Sequence, residues 1–207
     1  MKIRTVEFLG TYVDSSDALP GGLPEIAFSG RSNVGKSSLI NVLLGRTRRP
    51  MARVSSTPGK TQALNFYRVN GRFHLVDLPG FGYARVPERV REKWRPLVEG
   101  YLAGGARRAL AVVHLVDARR TPGAGDHAML RYLSELAVPV LLAVTKVDKL
   151  TWQERGKSMS ALLRQTGLEH DQVIPVSSRT GEGRDALLDA IEVLLPPPEM
   201  AVPDAGG

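Results

Sequence analysis

The stretch EIAFSGRSNVGKSSLIN, Glu25 to Asn41, decides the fold: an apolar run leads into two glycines, a lysine and a serine, and an amphipathic run follows. Gly30 to Ser37 fits the pattern G-x-x-x-x-G-K-[ST], and it lies where such a loop has to lie to work, between a strand (EIAFSG) and a helix (SLINVLL). The glycines let the backbone curl so that several N–H groups converge on phosphate oxygens, while the following helix aims the positive end of its dipole at the same charge. The candidate phosphate cradle is therefore Gly30, Arg31, Ser32, Asn33, Val34, Gly35, Lys36, Ser37 and Ser38. Lys36 is placed to neutralise the β- and γ-phosphates, and the Ser37 hydroxyl to hold Mg²⁺.

Working outward, short β-rich runs alternate with helical patterns, the signature of an α/β fold with a mostly parallel sheet. Six strands are legible: EIAFSG, LNFYRV, RFHLVD, LAVVHLVD, PVLLAVT and VIPVS. The pair Asn70-Gly71 joins the second and third as a hairpin, so one strand runs antiparallel to the rest. Thr151 with Glu154 three residues on forms a capping box, and Gly167 closes that helix. Met129, Leu130, Leu133 and Leu136 share one helical face, and DALLDAIEVLL repeats the spacing before Pro196 stops it. The expectation is an α/β fold of the P-loop NTPase kind: a six-stranded, mostly parallel sheet with one antiparallel strand, flanked by helices. Residues 1–22 read as an N-terminal extension packing on that domain, 23–195 as the nucleotide-binding domain, and 196–207 as a flexible tail of low apolar content.

A phosphate cradle does not name the base, and three later segments supply that reading. After RFHLV come Asp77, Leu78, Pro79 and Gly80, where an acid at a strand end can hold a metal-bound water and a glycine N–H can touch the γ-phosphate. After PVLLAV come Thr145, Lys146, Val147 and Asp148, and a carboxylate there can accept two hydrogen bonds from the N1–H and N2-amine edge of guanine. Adenine lacks that donor pair, and a site that leaves its own polar groups unpaired rejects the wrong ligand strongly. After VIPV, which ends at Val176, the backbone of Ser177 and Ser178 can meet the guanine oxygen, and Val176 joins them as a candidate nucleotide contact. Singly, an aspartate at a strand end is as often a cap or turn residue; behind an intact phosphate loop, their order points to guanine nucleotides.

The bulk properties exclude other classes. The chain of 207 residues suits one domain. It has no cysteine, which rules out disulfide staples and thiolate zinc sites. The four histidines never fall at His-x-x-x-His spacing, so a histidine metal cage is not expected. The N-terminal segment carries acids and does not read as a secretory signal, and no run reaches membrane-spanning length; a soluble, cytoplasmic protein is expected. The net charge of +7 favours a polyanionic partner such as nucleic acid or an anionic membrane surface. RTRRPMAR and ARVPERVREKWRP concentrate that charge.

The set GRSNVGKS, TPGKTQ, DLPG, TKVD and SS resembles the Ras-like G domain of translation-factor-class GTPases, and TPGKTQ with DLPGFGYA, Trp94 in REKW and the run DARRTPGAGDHAM resembles the EngB family of bacterial GTPases. That resemblance implies GTP and Mg²⁺ binding, slow hydrolysis, and a role in large ribosomal subunit assembly linked to cell division and septation. It makes Gly59, Lys60 and Thr61 a switch segment, with Thr61 preferred over Thr57 for completing the Mg²⁺ shell beside Ser37, and Asp77 acting on the metal through water. The catalytic set it implies is Lys36, Thr61 and Gly80. Asn33 becomes a candidate K⁺ ligand, since related GTPases use an asparagine there. Two departures matter. Phe81 stands where Ras-like enzymes carry a water-orienting glutamine, which implies slow intrinsic turnover and leaves open a nucleotide-dependent RNA-binding scaffold with negligible turnover. TKVD replaces the commoner NKxD, so base selection rests on Asp148. Large-subunit rRNA is the implied partner, and a monomer the simplest state.

Overall fold

The structure is a computed structural model that describes residues 1–13, 18–52, 63–80, 88–104 and 109–197. Its elements run β1 (Val6–Tyr12), β2 (Glu25–Gly30), α1 (Lys36–Leu43), β3 (Leu64–Val69), β4 (Phe73–Asp77), α2 (Glu88–Ala103), β5 (Ala111–Asp117), α3 (Ala124–Glu135), β6 (Val140–Thr145), α4 (Trp152–Thr166), β7 (Val173–Pro175) and α5 (Arg184–Leu194). The segments around Gly59, Lys60, Thr61 and Phe81, the side chain of Trp94, and the tail from residue 198 lie outside the described residues.

The strands form one seven-stranded sheet in the order β1-β3-β4-β2-β5-β6-β7. β2 pairs in parallel with β4 and β5, and β6 in parallel with β5 and β7. β3 is the antiparallel strand, opposed to both β4 and β1. The expected count of six is thereby corrected to seven, and the added strand is β1. A register shift between Phe8 and Gly10 interrupts its pairing with β3. A bulge of that kind breaks the period-2 alternation by which a strand is read from sequence.

The hairpin between β3 and β4 turns on Asn70 and Gly71, at φ 54° and 63°, the positive-φ pair of a type I′ turn. Asn70 also accepts hydrogen bonds from Arg4 N–H at 2.7 Å and Thr5 N–H at 3.1 Å, so the turn anchors the chain ahead of β1.

The central strands β2, β5 and β6 are buried along their whole length, as a parallel sheet covered on both faces demands. On one face Ile26, Phe28, Val113 and Leu115 pack with Leu39, Ile40 and Leu43 of α1 and Leu187, Leu188 and Ile191 of α5. On the other, Ala27, Val76 and Val112 meet Leu97, Val98, Tyr101 and Leu102 of α2 and Leu133 of α3. α4 covers β6 and β7 through Leu162. Its start is capped by Thr151, whose hydroxyl accepts from Glu154 N–H while the Glu154 carboxylate accepts from Thr151 N–H, and Gly167 at φ 68° ends it. Among the described residues no helix is long and apolar enough to cross a membrane.

This topology positions the site. β2 has β4 on one side and β5 on the other, so the chain leaves the carboxyl end of β2 where the strand order reverses. Open α/β sheets bind ligands in the crevice at that point.

Candidate nucleotide-binding site

Gly30 ends β2 at φ 154°. A Cβ there would lie 3.1 Å from Leu115 Cβ, Leu115 O and Val34 Cγ1, so only glycine lets the loop fold back against β5. The loop closes with Val34 N–H donating to Arg31 O at 3.1 Å. Gly35, at φ 108°, opens α1 with no side-chain cap. The first-turn N–H groups of a helix have no intrahelical acceptors, and here no capping side chain takes them, which fits an anion at the helix start. Lys36, Ser37 and Ser38 occupy that first turn.

The second segment meets the first through a charge pair. Asp77, last residue of β4, is buried and accepts a hydrogen bond from the buried Lys36 ammonium. A phosphate for the lysine and a hydrated cation for the carboxylate would satisfy these same two charges, so the pair fits both ligands. Leu78 and Pro79 carry the chain to Gly80, where a Cβ would lie 3.2 Å from Ser32 Oγ and 3.3 Å from Ser32 N. Ser32 Oγ donates to Gly80 O at 3.3 Å. The two loops are in direct contact, and a side chain at residue 80 would press on Ser32.

The third segment holds the first. Thr145 Oγ1 lies 2.8 Å from Val34 O and 3.1 Å from Val116 O, so its hydroxyl ties β6 to the loop. Lys146, at φ 62°, turns its side chain back along the loop. Its Nζ donates to Asn33 O at 2.8 Å and to Asp117 Oδ2 at 3.0 Å. Asn33 itself, at φ 64°, is exposed. Val147 is buried in the short 3-10 turn Val147–Lys149, which carries Asp148.

Asp148 Oδ1 accepts from Ser177 Oγ at 2.7 Å, while Asp148 Oδ2 is buried with no hydrogen-bond partner among the described residues. The bond from Ser177 outweighs desolvation and, aided by the Lys149 charge, holds the Asp148 carboxyl below its ordinary range. It is thus an ionised acceptor with one oxygen unspent, which fits a ligand edge carrying N–H donors. Ser177 N–H is committed to Glu182 O at 2.9 Å and Val176 N–H to Val144 O at 2.8 Å. Of the last segment, Ser178 keeps a backbone donor without such a partner among the described residues.

Residues 25–146 match the family model described as 50S ribosome-binding GTPase. The chain is 50% identical over 196 residues to the probable GTP-binding protein EngB of Geobacter sulfurreducens, covering 94% of this chain and 93% of that protein. The chain belongs to the EngB family of GTP-binding proteins. The corresponding protein of Gemmatimonas aurantiaca is 46% identical over 200 residues, 96% of this chain and 97% of its own length. The crystal structure of a probable GTP-binding protein engB superposes with a TM-score of 0.68 at 26% identity, over 82% of this chain and 97% of that one. Era of Aquifex aeolicus, bound to GDP and AlF4⁻, shares the fold at a TM-score of 0.67 and 21% identity, over 84% of this chain and 57% of that one. GTP binding and the GTPase fold are thus properties of the EngB family that this chain shares.

Thr145 and Ser177 are both candidates from sequence, but their contacts are visible only in the fold: the Thr145 hydroxyl grips the loop carbonyl of Val34, and Ser177, expected to act through its backbone, holds Asp148 with its side chain. Asp117, which joins Lys146 to Arg119, is not among the sequence candidates, although an aspartate closing a buried strand, followed two residues on by arginine, is a visible signal.

Proposed function

We propose that this chain is a GTP-hydrolysing switch that acts, in the cytoplasm and as a monomer, in assembly of the large ribosomal subunit, in a process coupled to cell division and septation. The observation that carries the reading is the convergence of three loops: Lys36 paired with Asp77, Gly80 against Ser32, and Asp148 with an unspent oxygen. The description of the matching family as ribosome-binding supports the partner, and the +7 charge suits RNA.

In this reading the loop N–H groups and Lys36 hold the β- and γ-phosphates, and Asp148 with the Ser178 backbone selects guanine. Ser37, Thr61 and Asp77 (the last through water) hold Mg²⁺, which when bound neutralises charge developing on the phosphate oxygens. Gly80 N–H reports the γ-phosphate, and Gly59, Lys60 and Thr61 belong to the segment that changes with it. With Phe81 after Gly80, no side chain orients the attacking water there, so intrinsic turnover is slow. Asn33, exposed at the rim of the loop, is the residue a monovalent cation would meet, and turnover then rises in KCl over NaCl.

The test is co-sedimentation of the purified protein with large ribosomal subunits in GDP and in a non-hydrolysable GTP analogue, alongside multiple-turnover hydrolysis with and without subunits. Binding at least tenfold tighter with the analogue, and hydrolysis stimulated by subunits, are expected. Equal binding in both nucleotides would end the switch, and absence of any stimulation would make the protein a scaffold. Equal rates in KCl and NaCl would remove Asn33 from the metal set.

A further inference from the structure

Asp117 closes β5 opposite Thr145 of β6, two residues before Arg119 and beside Lys146. It is 9% exposed and makes four contacts. Oδ1 accepts from Arg119 N–H at 3.1 Å and Arg119 Nε at 2.9 Å; Oδ2 accepts from Arg119 Nη2 at 2.8 Å and Lys146 Nζ at 3.0 Å. A carboxylate offers about four lone-pair sites, so these four donors leave Asp117 none for a ligand.

Burial opposes its ionisation, yet the hydrogen bonds from Arg119 and Lys146 prevail and hold it far below the ordinary carboxylate range. The bidentate guanidinium fork fixes the plane of the carboxylate, and that plane fixes Lys146. The lysine backbone sits in the left-handed region at φ 62°, a conformation that costs a non-glycine residue free energy and persists where its surroundings impose it. Its stem then passes 3.8 Å from where a Gly35 Cβ would lie, and its ammonium reaches Asn33 O across the phosphate loop.

We infer that Asp117 and Arg119 are positioning residues that clamp Lys146 across the phosphate loop, so that nucleotide residence time depends on two side chains which never touch the nucleotide. The inference rests on the guanine-nucleotide reading of the site. An untethered Lys146 lets the loop and the base-reading turn move apart, and the ligand bridging them leaves faster. Affinity differences within one site lie mostly in dissociation.

The test is stopped-flow release of a fluorescent GDP from the full chain and from Asp117→Asn, Lys146→Met, the double variant and Arg119→Ala. Asp117→Asn is expected to release GDP about tenfold faster, and Arg119→Ala several-fold faster. The double variant should be no faster than Lys146→Met alone, because two residues acting through one contact do not add. A merely structural Asp117 would instead give independent, multiplying effects. Wild-type release from Asp117→Asn, or a double variant as fast as the product of the singles, overturns the clamp. Should Asp117→Asn fail to fold, Arg119→Ala, whose side chain is 42% exposed, decides alone: release at the wild-type rate overturns the clamp. If Lys146→Met also releases at the wild-type rate, or the parent protein binds no GDP, the site reading itself has failed; if Lys146→Met is fast and Asp117→Asn is not, only the clamp has.

Discussion

At the scale of single residues, base choice under the proposed function turns on Asp148, whose Oδ2 has no hydrogen-bond partner among the described residues while Oδ1 is held by Ser177. An ionised acceptor suits the paired donors of guanine; an amide at the same place offers an N–H to the carbonyl that xanthine carries instead of the amine. Asp148→Asn is therefore expected to move the preference from guanine toward xanthine nucleotides by about 100-fold, read by competition of XDP and GDP for a fluorescent nucleotide. Unchanged guanine preference would take Asp148 out of the site. Asp148 was legible in the sequence because it closes a motif, TKVD, of local spacing. The grip of Thr145 on Val34 O, the bond from Ser177 and the role of Asp117 were not legible in the same way, because each depends on which loops the parallel sheet brings face to face. Val34 and Thr145 are neighbours only because β2, β5 and β6 are consecutive in the sheet.

At the scale of elements, two glycines show how context sets the sign of one substitution. Gly183 caps α5 at φ 74°, and a Cβ there would lie 1.9 Å from Pro175 O, a backbone atom at the end of β7 that cannot turn aside. Gly183→Ala is expected to cost about 3 kcal/mol or more, through overlap and a strained φ together. Gly156 lies inside α4, and a Cβ there meets nothing within 4 Å. Gly156→Ala should stabilise by about 0.5–1 kcal/mol, since glycine in a helix interior loses more backbone freedom on folding than alanine. Urea denaturation of both variants checks the pair, and a stabilised Gly183→Ala would mean that α5 starts elsewhere. The start of α4 was readable from Thr151 and Glu154 because a capping box is complete within four consecutive residues. The start of α5 was not, since what makes Gly183 necessary is the carbonyl of a strand it meets only in the folded chain. β1 escaped for a different reason: its bulge destroys the alternation that marks a strand.

At the scale of the whole molecule, ionisable groups whose titration the fold shifts stand at both ends of the sheet, and they move in opposite directions. At the carboxyl ends of the strands, Asp117 and Asp148 are held below their ordinary value of 3.8, the first against burial by Arg119 and Lys146, the second mainly by Ser177. A carboxyl depressed in the fold contributes stability above its unfolded value and loses it as pH falls through the folded one. At the opposite end Tyr101 of α2 is raised well above its ordinary 10.0, by burial first and then by the charge of Glu25, which itself lies 3.9 Å from His74. For a group raised in this way the contribution is complete below the unfolded value and is lost as pH rises beyond it, because the unfolded chain ionises first. Thermal stability should therefore hold level from about pH 5 to about pH 9 and fall on both sides. The acid fall belongs to the nucleotide end and the alkaline fall to the α2 end, so they separate by mutation: Tyr101→Phe keeps the ring packing, removes the phenol, and should carry the plateau to higher pH while leaving the acid side in place. An alkaline fall unchanged in Tyr101→Phe would assign that limb to the lysines and break the link between α2 and Glu25.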